Sequence, residues 1–233
     1  MSQKNISENA DAPAAPRRKI LVMDDHPLVR AGLLQLINQE PTLAVVAEAG
    51  GPREAMAEIS RSKPDLIVAD ITMKEGSGLE FIKDVRAVHG DIPILVVSMH
   101  DEMVYAERAL RAGGSGYIMK EESAAHLITA ILRVLDGGVY LSEAMSGRLL
   151  RSVANPKGRN TGSPLQTLTD RELEVFQLIG QGQTTEEIAK RLSLSPKTVD
   201  VHRAHIKEKL QIKSGTALIH QAVQWFQSQS ASE

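Results

Sequence analysis

No cysteine occurs anywhere in the chain, which removes disulfide frameworks, thiolate zinc sites and cysteine nucleophiles in one step and agrees with a reducing compartment. Net charge is almost absent as well, at -2, so any contact with nucleic acid must come from a local basic face rather than from a basic chain. Missing too is any stretch approaching the ~18 apolar residues of a membrane helix. The first eighteen residues are rich in Ala, Pro, Asn and Ser and end in Arg17 and Arg18, without the apolar segment of a secretory signal. These absences predict a cytoplasmic protein with no membrane partner and a loose N-terminal tail.

What is present is the balance of a folded protein: 42% apolar and 24% charged residues, well away from disordered compositions. A length of 233 residues exceeds one typical domain of ~100–150, which favours two domains. Short apolar runs recur at Ile20–Met23, Leu43–Val46, Leu66–Ala69, Ile94–Val97 and Ser115–Met119. Stretches of helical spacing lie between them, such as Leu28, Leu33, Leu36 and Ile37, or Leu127, Ile128, Ile131 and Leu135. Five repeats of strand and helix read as an α/β doubly wound parallel sheet covered on both faces. That domain is expected over 19–140, after a disordered tail over 1–18.

Residues 141–166 begin as a possible short helix and then turn rich in Gly, Pro and polar residues, from Asn155 to Pro164, which marks a linker. Beyond it every pattern is helical. Thr169 with Glu172 and Thr184 with Glu187 have capping-box spacing, Ser195 precedes a first-turn Pro196, and Ser214 heads a fourth helix. A separate all-α four-helix domain over 167–228 follows, with a tail over 229–233.

The strand runs end in polar residues of particular kinds: Asp24 and Asp25 after the first, Asp70 after the third, Ser98 after the fourth, Lys120 after the fifth. Ligands of doubly wound sheets sit at the carboxyl ends of the strands, where the strand order reverses. With an order 2-1-3-4-5, strands one and three are neighbours and the three aspartates converge. Three close carboxylates repel unless a cation joins them, and oxygen ligands suit Mg2+. Such an ion would neutralise a transferring phosphoryl group, with Lys120 binding other phosphoryl oxygens. Asp70, the central carboxylate, is then the nucleophile, and Ser98 a donor to the phosphoryl oxygen. Taken singly, an aspartate ending a strand is a turn former, a loop lysine a solvated charge, and Tyr117 a core residue; the joint appearance at successive strand ends carries the functional reading.

With Gly78 eight residues after Asp70 and Tyr117 three before Lys120, these residues resemble the receiver domain of two-component response regulators. The resemblance implies a CheY-like fold, phosphoryl transfer from a sensor histidine kinase to Asp70, and Mg2+ held by Asp25, Asp70 and the backbone carbonyl of Thr72. It also assigns Ser98 and Tyr117 to the conformational response. One departure is Lys74, where many receivers have proline; it sets an extra cation beside the acidic site.

In the C-terminal domain, Thr184–Leu192 and Ser195–Leu210 are two helices at helix-turn-helix spacing, the second destined for the major groove. Val199, Ile206 and Leu210, with part of Arg203, should pack inward, leaving Lys197, Asp200, Val201, Ala204 and Lys207 outward. Lys197, Arg203, Lys207 and Lys209 are basic, and His202 and His205 add donors; the amides at the Ser195-Pro196 end favour phosphate. His202 and His205 lack the third ligand a metal would need.

The strings Leu168-Thr169-Asp170-Arg171-Glu172, Thr184 to Ala189 and Lys197-Thr198-Val199-Asp200-Val201-His202-Arg203 are similar to the LuxR-type DNA-binding domain. Together the two halves resemble the NarL/FixJ class. The resemblance implies binding of double-stranded promoter DNA as a homodimer, with Ser214–Phe226 as the dimer surface, and a transcription regulator rather than an enzyme with turnover. Val201 or Ala204 can touch a thymine methyl and Asp200 a cytosine amine. Two other classes compete: a signalling adaptor acting through protein contacts without DNA, and a metal-dependent phosphatase, which Asp70-Ile71-Thr72 disfavours because it lacks a second acid for proton transfer.

Overall fold

The computed structural model describes residues 16–73, 77–154 and 163–230. Five strands, β1 (Arg18–Met23), β2 (Leu43–Ala49), β3 (Leu66–Ala69), β4 (Ile94–Ser98) and β5 (Gly116–Met119), alternate with α1 (Pro27–Gln39), α2 (Pro52–Ser62), α3 (Gly78–His89), α4 (Glu102–Ala112) and α5 (Ala124–Leu135). All pairings are parallel and the order is β2-β1-β3-β4-β5. The central strands β3 and β4 are buried at every position, because helices cover both faces and no residue can point to water. Edge strand β2 alternates instead.

Side-chain alternation along the strands divides the core in two. Ile20, Val22, Val68, Leu95, Val97 and Ile118 face Leu33 and Ile37 of α1 and Ile131 of α5. Leu21, Met23, Ile67, Val96 and Tyr117 face α2, α3 and α4. At ~25 cal/mol per Å2 of apolar surface removed from water, burial on both faces is the main stabilising term of this layer.

Strand β1 begins at Arg18, one residue inside the expected tail; its amide donates to Thr42 and its guanidinium to the Leu135 carbonyl. The segment read as a linker holds a twelve-residue helix, α6 (Glu143–Ala154). Met145 is fully buried there and Arg148 donates to the Met103 carbonyl of α4, so α6 packs against α4 of the sheet domain. The Gly and Pro density that suggested a linker lies mainly in 155–162, outside the described residues.

A 3-10 turn, Pro164–Thr167, leads into α7 (Asp170–Gly180), α8 (Thr185–Arg191), α9 (Pro196–Lys209) and α10 (Gly215–Ser230). The two capping boxes form as the spacing predicts: Thr169 with Glu172 on α7 and Thr184 with Glu187 on α8. Between α8 and α9 the chain reverses at Ser193, at φ 54°. The cores of the two halves are continuous, because Phe176, Ile179, Val199 and Ile206 belong to the same cluster as the α3–α4 face of the sheet. No helix among the described residues is long and apolar enough to cross a membrane.

Candidate functional site

Strand register builds the site. Met23 pairs with Ala69, and the Asp70 amide donates to the Met23 carbonyl at 2.8 Å, so Asp24 and Asp70 leave adjacent strands side by side. On the other flank Ser98 pairs with Met119, and the Lys120 amide donates to the Ser98 carbonyl. The strand order therefore brings five polar residues from four strand ends to one rim. Asp24, Asp25, His26 and Asp70 each offer a ligand atom within 4.8 Å of the others.

Lys120 Nζ lies 2.6 Å from Asp24 Oδ2 and 2.7 Å from Asp70 Oδ2, with all three side chains nearly inaccessible. Asp24 is held further by its loop: the His26 amide donates to Oδ1 at 2.8 Å, and Arg30 Nη1 donates to the Asp24 carbonyl at 2.7 Å. His26 Nδ1 is 2.8 Å from Asp25 Oδ1. The Thr72 amide donates to Asp70 Oδ1 at 2.8 Å, leaving Lys120 on the other oxygen.

Burial pushes the Asp70 carboxyl above its ordinary range, against the pull of Lys120 and the Thr72 amide, with Asp24 adding to the rise. Burial also works against the Lys120 charge, but Asp70 and Asp24 outweigh it and hold its pKa above the usual lysine value. Two buried carboxylates thus share one lysine, with Asp25 close beside them. A hard divalent cation fits this donor set, because it supplies the missing positive charge to closely spaced oxygens.

Ser98 is fully buried. Its Oγ lies 3.4 Å from Thr72 Oγ1 and accepts from the His100 amide at 3.2 Å. Tyr117 is fully buried with its hydroxyl donating to the His100 carbonyl at 2.7 Å. A Cβ on Gly78 would stand 2.2 Å from the Ile71 Cα, so only glycine lets α3 approach the loop after Asp70. Lys74 lies outside the described residues.

On α9, Lys197, Asp200, Val201 and Ala204 are exposed, while Thr198, His202, Arg203 and Lys207 are half-buried. Val199 and Ile206 are fully buried and Leu210 is half-buried. Arg203 is turned inward to donate to Thr185 Oγ1 at 3.0 Å. Lys209 points away from the outer face, 2.6 Å from the buried Glu172, and His205 stands 3.6 Å from the same carboxylate. Lys197 and Lys207, with the amides at the α9 N-terminus, form the basic part of the outer face.

Sequence reasoning missed the residues that join the halves. Arg108 of α4 donates to Asp170 at 2.9 Å and to the carbonyls of Leu165 and Leu168, and Arg191 of α8 donates to the Met73 carbonyl at 2.8 Å. Gln177 of α7 reaches His100 and Tyr105. No local signal reveals such pairs, whose members lie 57 to 118 positions apart.

A response regulator receiver domain model matches residues 20–132, and one for bacterial regulatory proteins of the luxR family matches residues 166–222. The chain belongs to the response regulators of the NarL/FixJ class, which are phosphorylation-controlled, DNA-binding transcription regulators. It is 34% identical over 209 residues to the oxygen regulatory protein NreC of Staphylococcus carnosus, covering 88% of this chain and 96% of that one. It is 37% identical over 201 residues to the transcriptional regulatory protein UhpA of Salmonella typhimurium, covering 86% and 95%. A solved structure of RcsB from Salmonella enterica serovar Typhimurium, bound to promoter DNA with a phosphomimetic, superposes with a TM-score of 0.67 at 24% identity, covering 88% of this chain and 97% of that one. At that identity the likeness speaks for the fold.

Proposed function

We propose that Asp70 accepts a phosphoryl group from the phosphohistidine of a sensor kinase, and that this controls DNA binding through α9. The observation that carries the reading is the placement of Asp70, 2.7 Å from Lys120 Nζ and within 4.8 Å of the Asp24, Asp25 and His26 donor atoms. An Asp70 oxygen forms the new P–O bond while the donor's P–N bond breaks, its electron pair leaving with the imidazole nitrogen. Asp24, Asp25, Asp70 and the Thr72 carbonyl would hold a Mg2+ ion, which would supply positive charge to the transferring phosphoryl oxygens. Lys120 binds a phosphoryl oxygen from the opposite flank, and Ser98 donates its hydroxyl hydrogen to another. Ser98 and Tyr117 then carry the change of state, since both meet at the His100 backbone.

The acting form is a homodimer on double-stranded promoter DNA, in the cytoplasm. Helix α10 buries Leu218 and Ala222 against α7 and leaves Ile219 and His220 exposed, an outward face suited to a second copy. Lys197, Thr198, His202 and Lys207 serve the phosphates, Arg203 joining them on leaving Thr185, while Asp200, Val201 and Ala204 face the base edges.

Selection of bound duplexes from a random pool tests this. With acetyl phosphate and Mg2+, the full chain should enrich a two-fold symmetric sequence whose affinity falls steeply with salt; Asp70→Asn should enrich it no better with acetyl phosphate than without. An adaptor would enrich nothing, and a phosphatase would go on consuming acetyl phosphate after one equivalent. Either result contradicts the proposal.

A further inference from the structure

A continuous chain of polar contacts leaves the acceptor site and ends in the DNA-binding domain. The Thr72 amide holds Asp70, Thr72 Oγ1 meets Ser98 Oγ at 3.4 Å, and Ser98 Oγ accepts from the His100 amide at 3.2 Å. The His100 ring then meets Gln177 Nε2 of α7 at 2.7 Å through its own Nε2. Burial, with Lys120 adding to it, pushes the His100 pKa down to about 4. The neutral ring therefore presents Nε2 as an acceptor for the Gln177 amide, with the ring proton on Nδ1. The other end of the same amide is also used: Gln177 Oε1 accepts from the Tyr105 hydroxyl at 3.0 Å. Tyr105 stacks on His100 with ring centroids 4.8 Å apart, so one glutamine side chain ties down both rings.

As the Gln177 side chain is placed, its NH2 donates to His100 Nε2 and its carbonyl oxygen accepts from the Tyr105 hydroxyl, so both ends of the amide are used. Tyr117 fixes the same segment from the receiver side through the His100 carbonyl. A second tie runs alongside, from Arg191 of α8 to the carbonyl of Met73, three residues after the acceptor.

Meanwhile the outer face of α9 is open: Lys197, Asp200, Val201 and Ala204 are exposed with the two halves packed together. Control in this chain therefore does not require the receiver to cover the recognition helix. It requires a path from Asp70 to the helices that carry α9.

Resting on the reading of Asp70 as phosphoryl acceptor, we infer that Gln177 is the residue through which the DNA-binding domain senses that site. It is a positioning residue, acting on the acceptor site through His100. When Ser98 turns its hydroxyl to a phosphoryl oxygen, the His100 amide loses its present acceptor and the His100 segment shifts away from Gln177. The packed arrangement and the phosphorylated site thus compete for one segment. Coupling between two sites is reciprocal, so removing the Gln177 ties must make the acceptor site easier to occupy.

The test uses the full chain, saturating Mg2+ and beryllofluoride as the phosphoryl mimic, with affinity read by titration calorimetry and molecular extension by small-angle scattering. Gln177→Leu keeps the volume and removes both hydrogen bonds; it should bind beryllofluoride about tenfold more tightly than the wild type, each neutral hydrogen bond contributing about threefold to fivefold. Tyr105→Phe removes one bond, keeps the ring stack and should gain about threefold, which carries the test if the leucine variant fails to fold. Gln177→Leu should also be more extended before any mimic is added. A merely structural loss would lower the melting temperature without tightening a ligand bound at Asp70. Beryllofluoride binding by the wild type with unchanged affinity in both variants overturns the inference alone. Absence of wild-type binding overturns the acceptor reading, and this inference with it.

Discussion

The Asp70 carboxyl sits where burial disfavours its charge and its partners only partly offset that cost. Burial holds this carboxyl above the ordinary range in spite of Lys120, so without Mg2+ and between the unfolded and folded pKa the folded protein binds more protons than the unfolded chain. The sign follows: as pH rises from the unfolded value near ~3.9 through the raised folded value, stability falls. Asp70→Asn removes the carboxyl, so its urea midpoint in Mg2+-free buffer should not show this fall and should exceed the wild-type midpoint at neutral pH. Equal midpoints at all pH values would mean that the carboxyl is not held protonated by burial. Gly78 is a second point of sensitivity. An alanine there must displace the Ile71 backbone, and overpacking at a rigid contact costs about 3 kcal/mol, so Gly78→Ala should lower both stability and the rate of phosphoryl uptake.

Among the elements, α7 has three duties: it caps its own start, anchors α9 and contacts the receiver. Glu172 does the first two, accepting from the Thr169 amide at 2.7 Å and pairing with Lys209 at 2.6 Å. Burial opposes its charge, but Lys209 and Thr169 prevail and hold its pKa below the usual carboxylate value. Here the stability is present above the unfolded value of ~4.3 and is lost as pH falls through the lower folded value. Glu172→Gln should therefore be less stable than the wild type at pH 7 and approach it in acid, as followed by the helical signal on urea titration. Both capping boxes were legible in the sequence, because Thr and Glu three apart before an apolar run is a local signal. So were the polar strand ends, each of which follows an apolar run. Helix α6 was only partly legible, since one buried methionine gives little periodicity and the following Gly and Pro residues dominate the composition. The pairing of Gln177 with His100, 77 positions away, leaves no local trace at all.

At the scale of the whole molecule, the two halves share one apolar cluster and a set of charged ties. Arg108, only 9% exposed, donates to Asp170 and to the carbonyls of Leu165 and Leu168, while Lys83 meets Asp170 at 3.2 Å. Removing one partner of such a buried group strands the others, at a cost of about 3 kcal/mol. Arg108→Ala should shift the unphosphorylated chain to an extended form, visible as a larger radius of gyration in small-angle scattering, whereas an unchanged radius would mean the apolar contact alone suffices. All of this regulation presupposes one chemical event at the sheet rim. Its direct measurement is incubation with acetyl phosphate and Mg2+, reduction of the acyl phosphate with borohydride, and peptide mapping of the product. The account predicts one modified residue, Asp70, formed only with the metal present; modification at another residue, or uptake that persists in Asp70→Asn, would contradict it.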